Sequence, residues 1–291
     1  MTGGLFVQLL INGLMAGGIY ALVSSGFTLI LGVIKVFNFA QGQFYMLGAF
    51  ITYGVVSILG LPYLLAILVA LIAMVILGVI VHFAIIQWTL PSSFFHTMLV
   101  TVALGTIITQ SALLSFGFKE QVIPAVVQGH ATIGDITFSW GKLIVIAGAI
   151  VIMVTLYYFM KTKTGTAMLA SSENREVASL QGINASRIFW VTMAVGCGLC
   201  GAAGALIAPV LSASSTMGTT IFNRSMLVVL VGGTGSMSGA LVAAFLVGIV
   251  ESFAYQYVGQ LNLLVIFGFV AVLIFFRPGG LLGKPLPIPG Q

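Results

Sequence analysis

The chain has 291 residues, of which 60% are hydrophobic and 5% are charged. An ordinary soluble domain carries roughly 25% charged residues, so this composition excludes a soluble enzyme, a nucleic-acid-binding protein and a disordered chain. The net charge of +5 is too thinly spread to form a phosphate-binding patch. The sequence therefore indicates an integral membrane protein made almost entirely of spanning segments.

The first predicted element is a helix over residues 5–31. A cleaved signal peptide would begin with basic residues, and none precedes this helix, so we expect the helix to be retained in the membrane. No Lys, Arg, Asp or Glu occurs in residues 36–118, which is enough chain for about four spans of roughly 20 residues each. Breaker residues divide this region into predicted helices over 41–59, 62–88 and 97–116. Such long apolar runs without alternation favour helices over a strand barrel.

Polar side chains cluster near the start of the second predicted helix, at Asn38, Gln41, Gln43 and Tyr45. Buried amides need hydrogen-bond partners or water. These four residues are therefore candidates for the lining of a translocation lumen. The alternative is that they only join helices to one another.

Residues 117–140 form the longest predicted extracytoplasmic loop. Apolar and polar residues alternate over 132–138, so we expect either a small hairpin or an irregular cap. A docking surface and an inert connection are both compatible with this pattern.

The next predicted helix, residues 141–160, leads into the main soluble element. Residues 161–187 hold six of the fifteen charged residues (ten basic and five acidic in the whole chain), and the positive-inside rule places them in the cytoplasm. The pattern predicts a short surface helix that is capped by Ser171 or Ser172 and stops at Gly182. Because loops in so hydrophobic a chain are mostly short, an amphipathic helix here points to a partner at the membrane surface.

Small residues dominate the following helix, predicted over residues 186–211. Ala194, Gly198 and Ala202 fall on one stripe of it, and the whole chain contains 36 glycines. Small residues allow the close backbone contact through which helices associate in lipid. We therefore expect this helix to lie between other helices rather than against lipid.

Three elements complete the chain, at residues 221–231, 238–258 and 261–276. The first is too short for a full crossing, so we expect either a tilted helix extended by its flanks or a half-helix. A glycine-rich break follows it, which at membrane depth is tolerated only where it packs in protein or lines a water-filled cavity. The glycines of this break are Gly232, Gly233 and Gly235.

Glu251 is the only carboxylate inside a predicted span, which makes it a functional candidate by default. The alternatives are a position near the outer interface, and a neutral or paired group packed against a helix. A single such group is thin support for a proton relay, so the sequence favours a structural role.

The distribution of basic residues predicts the orientation of the chain. Alternation outward from residues 161–187 places seven Lys or Arg inside, including Lys35, Arg277 and Lys284. The three basic residues then expected outside are Lys119, Lys142 and Arg224. The N-terminus lies outside and the C-terminus inside if the short element crosses, giving nine crossings; the alternative is eight.

No group of residues predicts chemistry carried out by this chain. Cys197 and Cys200 lie on a predicted membrane helix, where they are interpreted as packing residues rather than a redox or zinc site. The glycine-rich stretch 279–285 departs from a phosphate-binding loop in spacing and in context. We therefore expect no catalytic residue, no metal, no ATP site and no bound cofactor.

Five motifs follow one another along the chain. They are Asn12-Gly13-Leu14 with Gly17-Gly18-Ile19-Tyr20-Ala21-Leu22, Asn38-Phe39-Ala40-Gln41-Gly42 with Tyr45-Met46-Leu47-Gly48, Gly165 through Gly182-Ile183-Asn184, Gly232-Gly233-Thr234-Gly235-Ser236 with Gly248-Ile249-Val250-Glu251-Ser252, and Arg277-Pro278-Gly279-Gly280-Leu281-Leu282-Gly283. Together they resemble the permease subunits of ABC importers for branched-chain amino acids, the LivH-like group. The group usually has His where this chain has Gln41.

The resemblance implies one transmembrane permease domain over residues 1–291, with the type II importer fold: an all-α bundle of about eight or nine helices in the bacterial inner membrane. It also implies a second homologous permease subunit, two ATPase subunits that bind ATP and Mg, and an extracytoplasmic solute-binding protein. Residues 161–187 would be the cytoplasmic coupling segment, and the coupling helix that docks on an ATPase would lie near residues 171–182. The residues implied in coupling are Ser172, Glu173, Asn174, Arg175, Val177, Leu180 and Gly182.

The function implied is ATP-driven import of branched-chain amino acids or a related small polar or carboxylate solute, without covalent chemistry in this chain. In this group the binding protein largely selects the solute. The alternative function is a stand-alone secondary transporter or channel. Such proteins usually place ionisable groups at mid-membrane, and among predicted spans Glu251 is the one candidate carboxylate.

Overall fold

The computed structural model describes residues 3–90, 93–124, 129–133 and 136–283 of the chain. These residues form a helical bundle with one small β-hairpin. The helices are α1 (Gly3–Val33), α2 (Gln41–Tyr53), α3 (Tyr63–Val81), α4 (Gln87–Thr89), α5 (Phe94–Phe116), α6 (Trp140–Met160), α7 (Lys163–Glu173), α8 (Arg175–Leu180), α9 (Ala185–Leu211), α10 (Met217–Gly232), α11 (Met237–Val258) and α12 (Asn262–Phe276). The strands are β1 (His130–Ile133) and β2 (Ile136–Ser139). A π-helical turn, Gly54–Ile58, continues α2, a second, His82–Ile86, joins α3 to α4, and a 3-10 turn, Gly259–Leu261, separates α11 from α12.

Six segments of the described chain are long and apolar enough to span a membrane, as judged by length and composition. They are Gly4–Val33, Tyr63–Thr89, Phe94–Phe116, Trp140–Met160, Ala185–Leu211 and Met237–Phe276, the last of which contains both α11 and α12. The element predicted at residues 221–231 is a helix extended by its flanks, Met217–Gly232, rather than a half-helix. The 16 residues of this helix, α10, extend about 24 Å at 1.5 Å per residue.

The bundle has two distinct ends. The hairpin end carries β1, β2 and the α9–α10 connection, where Gln121 and Ala213 form an antiparallel bridge. The α7–α8 end carries α7, α8 and residues 277–283, which bond to the end of α10. Near the start of α1, Asn12 accepts a 2.7 Å hydrogen bond from Lys142 at the hairpin end. The described chain therefore begins and finishes at opposite ends of the bundle. This requires an odd number of crossings between the two ends, which agrees with nine crossings rather than eight.

Helix α9 lies in the centre of the bundle, packed by α1, α2, α3 and α6. Its residues 192–208 are buried with the exception of Val195, which is half-buried. The expectation that this helix lies between other helices is confirmed. The small residues are required because a Cβ at Gly204 would collide with the Tyr45 carbonyl oxygen of α2.

Helices α1 and α11 also meet at backbone contact, and they run antiparallel. A Cβ on Gly248 would lie 2.5 Å from the backbone nitrogen of Gly17. Nearer the hairpin end, Ser252 Oγ donates a 2.7 Å hydrogen bond to the Leu9 carbonyl oxygen. This close approach brings the Tyr20 side chain within reach of α11.

The two strands pair antiparallel, with His130 opposite Ser139 and Ile133 opposite Ile136. Of the two forms expected for this part of the loop, the hairpin is correct. Asp135 and Lys284 are not among the described residues. The cytoplasmic position that the charge pattern predicts for Lys284 therefore falls on a residue that the structure does not describe.

Candidate functional site

Helix α7 is anchored in the bundle at the α7–α8 end. Its Met168 and Ser171 side chains are buried. Gly165 lies directly against the last turn of α6, because a Cβ there would collide with the backbone of Met160. Helix α7 is therefore in direct backbone contact with the end of α6.

A break at Asn174 separates α7 from α8. Asn174 has extended backbone angles, φ −152° and ψ 106°, and its Oδ1 accepts hydrogen bonds from the backbone N–H groups of Glu176 (3.0 Å) and Val177 (3.2 Å). The expected cap at Ser171 or Ser172 is wrong, since both lie inside α7 and donate to carbonyl oxygens of the preceding turn. The physical reason is that the extended backbone of Asn174 lets its side-chain oxygen accept hydrogen bonds from two N–H groups that begin a new helix and would otherwise be unpaired.

Helix α8 presents apolar side chains to solvent. Leu180 is 87% exposed and Val177 is 49% exposed, although the helix lies beside the most charged part of the chain. Arg175 ties the helix to α9, with its guanidinium 4.7 Å from the centre of the Phe189 ring. Gly182 ends the segment with φ of +82°, a conformation that L side chains rarely adopt. Glu173, Asn174, Arg175 and Gly182 are also exposed, and Ser172 is half-buried. The seven residues implied in coupling thus lie together at one end of the bundle.

The glycine-rich break lies at the same end. Helix α10 ends at Gly232 and α11 begins at Met237, and Gly233 and Gly235 have φ of +97° and +84°. The C-terminal segment packs on this break, because the backbone N–H of Leu281 donates to the Val231 carbonyl oxygen at 2.8 Å. The break therefore meets the requirement that such a backbone be packed in protein.

The polar residues at the start of α2 have different surroundings. Gln41 is fully buried: its Nε2 donates to the Gly196 carbonyl oxygen of α9 at 3.1 Å and lies 2.9 Å from Cys200 Sγ. Asn38 is also buried and donates to Gln41 Oε1 at 3.2 Å. The contacts of Gln41 join α2 to α9, which is what the second alternative for this cluster requires, whereas the bond from Asn38 is local to the start of α2.

Two members of the same polar cluster are placed elsewhere. Gln43 is buried, and its Oε1 has no hydrogen-bond partner within the part of the chain that the structure describes. Tyr45 lines a cavity that opens toward the hairpin end. A role in lining the translocation lumen stays a prediction for all four residues. Tyr45 is the one of the four that lines this cavity.

An ion pair lies inside the bundle. Arg224 Nη2 is 2.6 Å from Glu251 Oε1, and Tyr20 donates a hydrogen bond to Glu251 Oε2. Arg224 occupies the middle of α10, so its assignment to the outside by the charge pattern is wrong. The pairing explains the difference, because an opposite charge and a hydroxyl reduce the cost of holding a charge at that depth.

The cavity beside this pair has a volume of about 270 Å³. It reaches from the α9–α10 connection, at Ser212 and Ser214, to Tyr20, Tyr45 and Arg224. Ligand pockets commonly occupy roughly 300–1,000 Å³, so this cavity is of a size for a small solute.

The sequence reasoning did not assign Tyr20 or Arg224 to a site. One signal was available, since Arg224 and Glu251 are the only charged residues between Arg187 and Arg277. Two lone charges of opposite sign in so long an apolar region favour a pair. Tyr20 gave no comparable signal, because its partner lies 231 residues away in the chain.

The comparisons with known proteins agree with one another. The profile of the family described as branched-chain amino acid transport system, permease component, matches residues 9–276. The chain is similar to the high-affinity branched-chain amino acid transport system permease protein BraD of Pseudomonas aeruginosa, with 26% identity over 297 residues and 96% of each protein covered. It is also similar to LivH of Escherichia coli K12, with 24% identity over 300 residues and 96% of each covered. A probable LivH of Methanocaldococcus jannaschii is 24% identical over 265 residues, which are 87% of this chain and 82% of that protein.

Among solved structures, PsaBC from Streptococcus pneumoniae in complex with Fab is similar with a TM-score of 0.49 and 14% identity, covering 92% of this chain and 91% of that chain. The family profile spans nearly all of this chain, and the described helices fit a multi-pass protein of the inner membrane. The chain therefore belongs to the family of permease components of branched-chain amino acid transport systems, and within it to the LivH-like permeases.

Proposed function

We propose that the chain is one permease subunit of a binding-protein-dependent ABC importer of type II. It works with a second homologous permease, ATPase subunits that bind ATP and Mg, and an extracytoplasmic solute-binding protein. Its cargo is a branched-chain amino acid or a related small polar or carboxylate solute, which it passes into the cytoplasm. The chain itself catalyses no reaction and holds no cofactor.

The observation that carries this proposal is the exposed apolar face of α8. A side chain as large as Leu180, 87% exposed at the polar end of a membrane bundle, gains free energy when a partner covers it. The neighbouring Glu173 and Arg175 supply charges for the rim of such an interface. An ATPase groove at the cytoplasmic face would provide the cover. On this proposal the α7–α8 end is cytoplasmic and the loop of residues 117–140 is extracytoplasmic.

The connections of α7 and α8 support a role in transmitting motion. Helix α7 is packed directly on the last turn of α6 through Gly165, and α8 is tied to α9 through Arg175 and Phe189. ATP-driven movement of the ATPases would therefore displace α6 and α9 together. Because α9 lies at the centre of the bundle, such a displacement would alter the packing of α1, α2 and α3 as well.

The test is the variant Leu180→Asp in the complete, co-expressed complex. We expect the ATPase subunits to dissociate from the permease on affinity purification, and L-leucine uptake into proteoliposomes to fall at least about tenfold, since burying an unpaired carboxylate costs several kcal/mol. The matched control is Val122→Asp, which changes an apolar residue that is also largely exposed (71%), at the hairpin end, and should retain the ATPase subunits. Retention of the ATPase subunits and full uptake in Leu180→Asp would contradict the proposal.

The second candidate, a stand-alone secondary transporter or channel, is favoured by one observation, the Arg224–Glu251 pair inside the bundle. Ion-coupled transporters place such groups at mid-membrane. Reconstitution of this chain alone separates the two functions. We expect no solute movement in response to an ion gradient, and solute accumulation by the chain alone would establish the second candidate instead.

A further inference from the structure

We propose that Arg224 and Glu251 form an intramembrane binding site for a zwitterionic amino acid, at the floor of the cavity that opens toward the hairpin end. The Arg224 guanidinium takes the carboxylate of the solute, and Glu251 takes its ammonium group. Tyr20 and Tyr45 complete the floor. This inference rests on the proposed function, because it assumes that the chain passes such a solute.

The first support is the cost of the pair. A buried ion pair is often no more stabilising than well-packed hydrophobic residues of the same size, and charges inside membrane proteins generally mark a pathway. Helices α1 and α11 are already held by close backbone contact at Gly17 and Gly248. Helix α10, which carries Arg224, also meets α11 at backbone contact, between Gly232 and Gly239. The packing of α11 on α1 and α10 therefore does not depend on Arg224 or Glu251 alone.

The second support is a polar route to the pair. Thr216, Thr220 and Arg224 follow one another at a spacing of four residues, so they lie on one face of the chain entering and forming α10, and all three line the cavity. Ser212 and Ser214 of the α9–α10 connection extend this row of hydroxyl groups to the hairpin end. A hydrated solute that enters there meets hydroxyl groups until it reaches the guanidinium.

The third support is the unused hydrogen-bonding capacity of the guanidinium. Arg224 lines the cavity, and of its two terminal guanidinium nitrogens only Nη2 is engaged in the described parts of the chain, by Glu251. The Nε–H also has no partner there, but it is buried and shielded from the cavity. The Arg224 side chain is 26% exposed, so it is open to the cavity. A guanidinium binds carboxylates through pairs of N–H groups, and it can hold a second carboxylate while remaining close to the first.

The charge arrangement matches the chemistry of an α-amino acid. The solute carries one carboxylate and one ammonium group on neighbouring atoms. The cavity is lined by one cation, Arg224, and the anion Glu251 lies directly behind it, in contact with the guanidinium. When the solute carboxylate pairs with Arg224 and the solute ammonium pairs with Glu251, no buried charge is left unpaired. Entry and exit of the solute therefore avoid the large cost of an isolated charge. The aromatic rings of Tyr20 and Tyr45 and the side chains of Ile19 and Ile221 supply apolar surface for an aliphatic side chain.

The experiment uses the complete transporter in proteoliposomes, with L-leucine as the probe. In the double variant Arg224→Gln/Glu251→Gln both charges are removed together, so no unpaired charge is left in the bundle. We expect L-leucine uptake to fall at least about tenfold, as for the loss of a charge-assisted hydrogen bond, while the melting temperature and the ATPase subunits are retained. Uptake within about twofold of the wild type would overturn the proposal.

A charge exchange, Arg224→Glu/Glu251→Arg, separates a binding site from a structural ion pair. The exchange keeps an ion pair and moves the cation to α11, away from the row of threonines. A purely structural pair predicts that uptake returns to within about twofold of the wild type, which would overturn the proposal, whereas a binding site predicts that uptake stays low.

A milder variant guards against misfolding of the charge variants. Tyr45→Phe removes one hydroxyl from the cavity floor, and we expect it to reduce L-leucine uptake by about threefold or more. Its matched control is Tyr63→Phe, because Tyr63 donates to carbonyl oxygens of α9 at Ala205 and Leu206, and Tyr63 does not line this cavity. Equal uptake in the two tyrosine variants would count against the site.

Failure of the two proposals is distinguishable. If the wild-type complex does not import L-leucine, the proposed function fails for this solute and the binding site fails with it. If the wild type imports L-leucine and the double variant does so equally well, the importer stands and only the binding site is wrong.

Discussion

Gln41 occupies a position at which the LivH-like pattern usually has His. Its side chain is fully buried and joins α2 to α9, with Nε2 3.1 Å from the Gly196 carbonyl oxygen and 2.9 Å from Cys200 Sγ. Its Oε1 accepts from Asn38. A neutral amide offers two donor hydrogens and one acceptor oxygen in a single plane, so it can make all three contacts at once without a charge.

The first prediction concerns this buried amide. Gln41→Leu removes the donor to Gly196 and leaves a buried carbonyl oxygen without that partner, which costs about 1–3 kcal/mol of stability. Denaturation of the purified complex in mixed detergent and SDS would measure the loss. Gln87→Leu is the control, because Gln87 is exposed and its replacement should change stability by less than about 0.5 kcal/mol. If both variants were equally stable, the contacts of Gln41 would not be important for packing.

At the scale of the element, α8 depends on its cap rather than on its length. A helix of six residues is too short to be stable by itself, so its position is set by Asn174 at one end and Gly182 at the other. The sequence pattern located the stop at Gly182, since glycine after an amphipathic turn is a common signal. It did not locate the break at Asn174, because Ser171, Ser172 and Asn174 are all acceptable caps and only the backbone conformation distinguishes them.

The second prediction follows from that cap. Asn174→Ala removes both hydrogen bonds to the first turn of α8 and should weaken it by about 1 kcal/mol. Because the proposed coupling depends on the placement of Leu180, we expect the ATPase rate of the complex to rise less on addition of liganded binding protein. Asn174→Asp keeps an acceptor oxygen in the same place and should restore the stimulation. A variant with Asp that behaved like Ala would show that the cap is not the property that matters.

At the scale of the whole molecule, the predicted helix boundaries agree with the structure to within a few residues. The element predicted at 141–160 is Trp140–Met160, and the one predicted at 41–59 is α2 continued by the π-helical turn Gly54–Ile58. Apolar run length is a local property, so local patterns suffice to find spans. The position of Arg224 was not found, because its partner Glu251 is on another helix and a charge count treats each residue separately.

The third prediction concerns the orientation of the bundle. The described chain starts at the hairpin end and finishes at the α7–α8 end, and four basic residues in 161–187 favour the cytoplasm for the latter. Cysteines introduced as Leu180→Cys and Phe118→Cys are exposed at opposite ends, while native Cys197 and Cys200 are fully buried and should remain silent. A membrane-impermeant maleimide should label Phe118→Cys in intact spheroplasts, and Leu180→Cys only after the membrane is opened. Labelling of both from one side would contradict a crossing by α6, the membrane helix that lies between the two positions. The reverse pattern would preserve the fold but place α8 away from any cytoplasmic ATPase, and the proposed coupling would then be wrong.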